Sequence, residues 1–172
     1  MRKLAPLAGG ALIIAAWAAH LAAAGRAELD GGSSRARSAA QVLAESHLEL
    51  MHRHTENYVH EDTDDPACTL LQEMFSEMKS KGQGELRLMA LTAEPIADAN
   101  APKGEFETMA AGMLKAGRDH VERTEWEDGR SYLRSATAIT VSSNRCVLCH
   151  PNYKGLPENQ PVGAFSYRLP LN

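Results

Sequence analysis

Through the first half of the chain the hydrophobic positions recur at helical spacing. Leu43, His47, Leu50, Met51, His54 and Tyr58 fall on one stripe of a 3.6-residue helix, with His52 turned the other way. Ahead of them Gly31-Gly32-Ser33-Ser34 reads as a polar hinge. The acidic stretch Glu61, Asp62, Asp64, Asp65 interrupts the helix and starts another: Asp65 can cap it and Pro66 suits its first position. That second helix runs to about Ser80 and buries Cys68, Leu71, Phe75 and Met78, after which Gly82 and Gly84 stop it.

Beyond Gly84 the period changes. Glu85 to Thr92 alternates in part and reads as a strand, and Ala93 to Lys103, with Pro95, Asn100 and Pro102, as a loop. Gly104 to about Arg123 is expected to be helical, with Phe106, Met109, Ala110, Met113 and Val121 on one side. Glu127-Asp128-Gly129 marks a turn into a strand from Arg130 to Val141, carrying Leu133, Ile139 and Val141 on one face. A last strand, Gly163 to Leu169, alternates aromatic and polar residues. Helices followed by a run of strands predict an α+β fold with an antiparallel sheet.

The N-terminus has a separate character. Arg2 and Lys3 precede an apolar run from Leu4 to Ala24, and Ala22-Ala23-Ala24 offers small residues just before Gly25. Residues 1–24 therefore read as an export signal, with an uncleaved membrane anchor as the rival reading. Either places the rest outside the cytoplasm, in the periplasm, with residues 25–37 as a linker and 38–172 as one domain.

Composition narrows the class. Apolar residues at 44% and charged residues at 23% exclude a disordered chain. A formal charge of -4 argues against nucleic acid as a partner, and loss of Arg2 and Lys3 with the signal makes the remainder more acidic still. Three cysteines, an odd number, exclude a fully disulfide-paired framework.

Two of those cysteines lie in Cys146-Val147-Leu148-Cys149-His150, the Cys-x-x-Cys-His pattern of a c-type haem attachment site. Cysteines three apart reach the two vinyl groups on one porphyrin edge and form thioethers. The following histidine then supplies the proximal axial ligand. A thioredoxin-like pair would need a βαβ setting, zinc a second ligand pair, and a Cys146–Cys149 disulfide a strained ring. After His150 the chain holds no methionine or histidine, so a distal ligand must come from upstream. His47 and His54 share a helix face, and Cys68 is an unmatched thiol on the apolar side of its helix. The methionines sit mostly on packed stripes.

The run Cys146 to Gly155, followed by Val162-Gly163-Ala164-Phe165-Ser166 and Leu169-Pro170-Leu171, resembles the single-haem c-type proteins with a PAS-like fold first described in cyanobacteria. That family also occurs as the extracytoplasmic part of bacterial sensor proteins. An upstream stretch is similar too: Cys68 lies 19 residues before Arg87, and Glu94-Pro95 with Asn100-Ala101-Pro102 precede Phe106-Glu107. The resemblance covers residues 38–172. It implies a PAS-like antiparallel sheet flanked by helices and one covalently bound haem c. Cys146 and Cys149 would form the thioethers, and the iron would lie between His150 and Cys68, with His54 as the alternative distal ligand. A sulfur ligand would lower the reduction potential.

The function expected is that of a redox-sensing or gas-sensing haem module passing its signal to a partner protein or membrane sensor. The alternative is a one-electron carrier serving a respiratory complex, for which the acidic balance suits a basic partner. A cytochrome c′-type four-helix bundle is disfavoured by Thr137-Ala138-Ile139-Thr140-Val141 and by the last strand. Nothing pairs a nucleophile with a base, so no enzymatic activity is expected.

Overall fold

The computed structural model describes residues 10–61, 64–92, 97–157 and 159–171, with residues 10–30 given by their backbone course alone. Helix α1 spans Gly10–Tyr58, α2 Ala67–Ser80, α3 Gly104–Lys115 and the four-residue α4 Cys146–Cys149. Strands β1 Glu85–Ala90, β2 His120–Glu127, β3 Arg130–Thr140 and β4 Pro161–Leu171 form one antiparallel sheet in the order β1-β4-β3-β2. The fold is α+β, as the strand and helix patterns require, and is compatible with the PAS-like arrangement.

Each face of the sheet has its own core. Alternation along the strands sends Leu86, Leu133, Ile139, Phe165, Tyr167 and Leu169 toward α1 and α2, where Leu71 and Phe75 meet them. The opposite face carries Met89, Ala136 and Ala164 against Phe106, Ala110 and Leu114 of α3. Phe165 and Tyr167 are almost wholly buried on the central strand β4. Burial of each such side chain is worth about 2 kcal/mol.

The inner stripe of α1 is smaller than the sequence pattern implies. Ala36, Ala40, Ala44, His47 and Thr55 are buried, Leu43, Leu50 and Met51 pack at its margins, and Tyr58 is 68% exposed. Alanine has no side chain beyond Cβ, so the helix lies close on the sheet. His52, expected to face outward, is half-buried beside Thr140 and Ser142, and its Nδ1 has no partner.

Neither the hinge at Gly31–Ser34 nor the linker at 25–37 interrupts α1. Gly32 and Ala36 are buried and Arg37 pairs with Glu122 of β2, so packing and an ion pair hold helical a stretch that composition alone marks as weak. Asp65 does not cap α2. Pro66 occupies the cap position, and the Asp65 carbonyl accepts a hydrogen bond from His54 Nε2 instead.

α3 ends at Lys115 rather than near Arg123. Gly117, at φ +94°, adopts a conformation that side-chain-bearing residues rarely take, and the chain turns there into β2, which includes Val121. The β2–β3 turn is as expected: Glu127 pairs with Arg130, and Asp128 and Gly129 both have positive φ, the tight hairpin geometry. Residues 1–9 of the expected export signal lie outside the described residues, as do Asp62 and the Glu94-Pro95 part of the loop. Among the described residues no helix is long and apolar enough to cross a membrane.

Candidate functional site

Between β3 and β4 the chain makes a long excursion, residues 141–160, which covers one end of the sheet. A cavity lies beneath it, holding about 1020 Å³ of space including the part open to solvent. Its walls are the last turns of α1 with Met51 and Thr55, Val59 just beyond that helix, the start of α2, the ends of β1 and β3, and the attachment turn.

The turn builds itself from local hydrogen bonds. Ser143 accepts the N–H groups of Arg145, on its hydroxyl, and of Cys146, on its carbonyl. The His150 N–H donates to the Cys146 carbonyl at 2.9 Å, closing one helical turn. Cys146, Cys149 and His150 are thereby brought to the same wall, since residues three and four apart share a helix face. Pro151 then ends α4, and a 3-10 turn places Tyr153 back against His150, with ring centroids 4.5 Å apart and planes 5° from parallel.

Cys68, near the start of α2, lines the same cavity. The three cysteines and His150, which lie up to 82 positions apart in the chain, thus converge on one space. No disulfide joins the cysteines. His54 does not line the cavity; its ring donates to the Asp65 carbonyl and packs on Tyr58. His47 is in the core, 3.1 Å from the Tyr167 hydroxyl.

The electrostatics follow from burial. It pushes the His150 imidazole below its ordinary range, so the ring is neutral, the state a metal ligand must have. It also pushes the Cys68 thiol up, opposed by the N–H groups of Cys68 and Thr69 that face the sulfur at the helix start. The Tyr153 phenol is raised first by burial and then by the nearby Cys146 and Cys68.

A c-type haem requires two thiols three residues apart, an adjacent imidazole that the protein has not engaged on both nitrogens, and an apolar space beside them. The residues present fit that group. His150 Nδ1 is buried without a hydrogen-bond partner, and the cavity surface is mostly apolar, with Thr55, Asn100, Arg145 and Asn152 among its polar residues. Among the described residues no three His, Cys, Asp or Glu side chains cluster tightly enough to hold a bare metal ion. The donor set therefore matches a large organic group better than zinc.

Two structural residues escape a periodicity argument because their partners are remote. Arg145 Nη1 donates to the carbonyls of Glu56 and Val59 and to His60 Nδ1, fastening the attachment turn to the end of α1. Arg87 reaches the buried Glu107 and the carbonyls of Ala99 and Ala101, which sets the loop beside the cavity. The only sequence signal for the second pair was the spacing of Cys68, Arg87 and Glu107 in the family resemblance.

A comparison with curated proteins finds no match. A family model described as Tll0287-like (Tll0287) matches residues 32–169, starting within the stretch expected to be a linker and ending in β4. The match spans most of the chain and takes in all three cysteines, His150, strands β1 to β3 and most of β4, and the protein belongs to the Tll0287-like family.

Proposed function

We propose that this chain carries one covalently attached haem c and works outside the cytoplasm as a redox-sensing module, extending to diatomic gases when the distal ligand leaves. One observation carries the reading. The cavity between the sheet and the 141–160 excursion is bordered at once by Cys146, Cys149, His150 and Cys68. Cys146 and Cys149 would hold the group through thioethers, His150 would be the proximal ligand and Cys68 the distal one. When bound, such a group supplies one-electron chemistry at its iron. The protein's own part would be to hold the His150 ring and to bring the Cys68 sulfur to the same, mostly apolar, cavity. The role is non-enzymatic, with the signal passing to a partner protein or membrane sensor.

Covalent attachment is tested by expressing the protein with the c-type maturation system. Pigment should survive acid-acetone extraction, and Cys146→Ser with Cys149→Ser should remove it. A colourless wild-type protein would sink the reading. Export is tested by mass spectrometry: a mature chain beginning at or near Gly25 supports periplasmic release, and an intact Met1 in the membrane fraction makes it an anchored module.

A second reading, a one-electron carrier of a respiratory chain, draws on the exposure of Leu148 within the attachment turn, which brings the site to the surface. Carbon monoxide binding to the reduced protein separates the two: a sensor whose distal ligand leaves binds it, a carrier with a retained ligand does not.

A further inference from the structure

His150 and Tyr153 form a close, nearly parallel ring contact. Their ring centroids are 4.5 Å apart with planes 5° from parallel, and the Tyr153 N–H donates to the His150 carbonyl at 2.9 Å. The backbone turn therefore fixes one ring over the other. Both side chains border the cavity.

A metal-ligating histidine ordinarily donates its second ring N–H to a carboxylate or carbonyl, which sets the plane of the ring and strengthens it as a donor. The Nδ1 of His150 is buried and has no such partner. Tyr153 lies where an orienting group is needed, and a parallel aromatic contact at this distance resists rotation of the imidazole.

We propose that Tyr153 is the positioning residue of His150, and that its ring rather than its hydroxyl fixes the plane of the imidazole at the cavity. This rests on the reading of Cys146, Cys149 and His150 as a haem attachment site. Orientation by stacking replaces orientation by a hydrogen bond, and the imidazole keeps a weaker donor character than a partnered histidine has.

The test compares the purified, pigmented wild type with Tyr153→Phe and Tyr153→Met. Haem per chain is counted first by the pyridine haemochrome spectrum: a wild type without haem would overturn the underlying reading, and spectra are compared at equal haem content so that they report ligand orientation. Electron paramagnetic resonance of the ferric protein and the midpoint potential are then measured. Tyr153→Phe keeps the ring and should retain the wild-type g-values and potential. Tyr153→Met fills similar space without a ring and should give broadened or doubled signals and a shifted potential at unchanged haem content. If Tyr153→Met does not accumulate, Tyr153→Leu takes its place with the same expected result. Wild-type spectra and potential in the ringless variant would overturn the proposal. So would a change in Tyr153→Phe as large as that in the ringless variant, because the hydroxyl would then be the operative part.

Discussion

The buried carboxylate of Glu107, in the first turn of α3, pairs with Arg87 of β1 across the face of the sheet. It also accepts the Lys103 N–H at 2.6 Å and the Ser166 hydroxyl at 2.7 Å, with Arg134 of β3 3.9 Å away. One side chain thus joins the start of α3 to both strands of the β1–β4 pair.

Glu107→Ala should therefore be costly. Removing one member of a buried pair strands the other, typically at about 3 kcal/mol. In a domain of this size that lowers the melting temperature by roughly 6–12 °C. Calorimetry checks it, and a loss below about 1 kcal/mol would contradict the bridging role.

Arg145→Ala should loosen the cavity without disturbing the sheet. The arginine makes three hydrogen bonds to the end of α1, and bonds from a charged donor contribute about 1.5–3 kcal/mol each where water is excluded. Hydrogen exchange should quicken in residues 56–60 and 145–150 and stay slow in β3 and β4. Equal acceleration everywhere would show that Arg145 supports the whole fold.

His47 makes stability fall on acidification. Burial holds its pKa below the ordinary value of 6.5, so the native state prefers the neutral ring. The stability this provides is complete above 6.5. It is lost as the pH drops from there through the lower folded value, because the unfolded chain takes up the proton first. Urea midpoints at pH 7.5 and 5.5 measure it, and His47→Phe should reduce the difference between them. An unchanged difference would place the acid sensitivity elsewhere.

Cys68→Ala should turn a low-spin ferric spectrum into a high-spin one and raise the reduction potential, with covalent haem content unchanged. His54→Ala should alter neither, given the bond of its ring to the Asp65 carbonyl. The reverse result would give a bis-histidine site, with Cys68 as a core residue.

Much of this was legible in the residue pattern, and the failures are local. Asp128-Gly129 announced its hairpin because only a few residues accept positive φ in succession. Cys146, Cys149 and His150 announced themselves by spacing, and that one helical turn places all three on one wall follows from the period. The end of α3 was missed because the Val121 alternation on β2 also fits a helical stripe, and only Gly117 breaks the tie. The continuity of α1 through Gly31–Ser34 goes with the burial of Gly32 and the packing of Ala36 in the core, which local propensity does not contain. Arg145 and its acceptors are too far apart in sequence for any period to link them.

Thr140 and Pro161 are paired across the sheet, so the twenty residues between them form a closed ring whose ends are already clamped. The entropic cost of such a ring grows only with the logarithm of its length, about 0.6 kcal/mol for each doubling. A change of length in this ring would hardly register in the strands, yet its stretch from Val141 to Tyr153 borders the cavity and would carry the change there. The sheet and the ring can therefore diverge at different rates: β3 and β4 preserve the frame, while the ring between them is free to admit a different ligand, widen an entrance or meet a new partner.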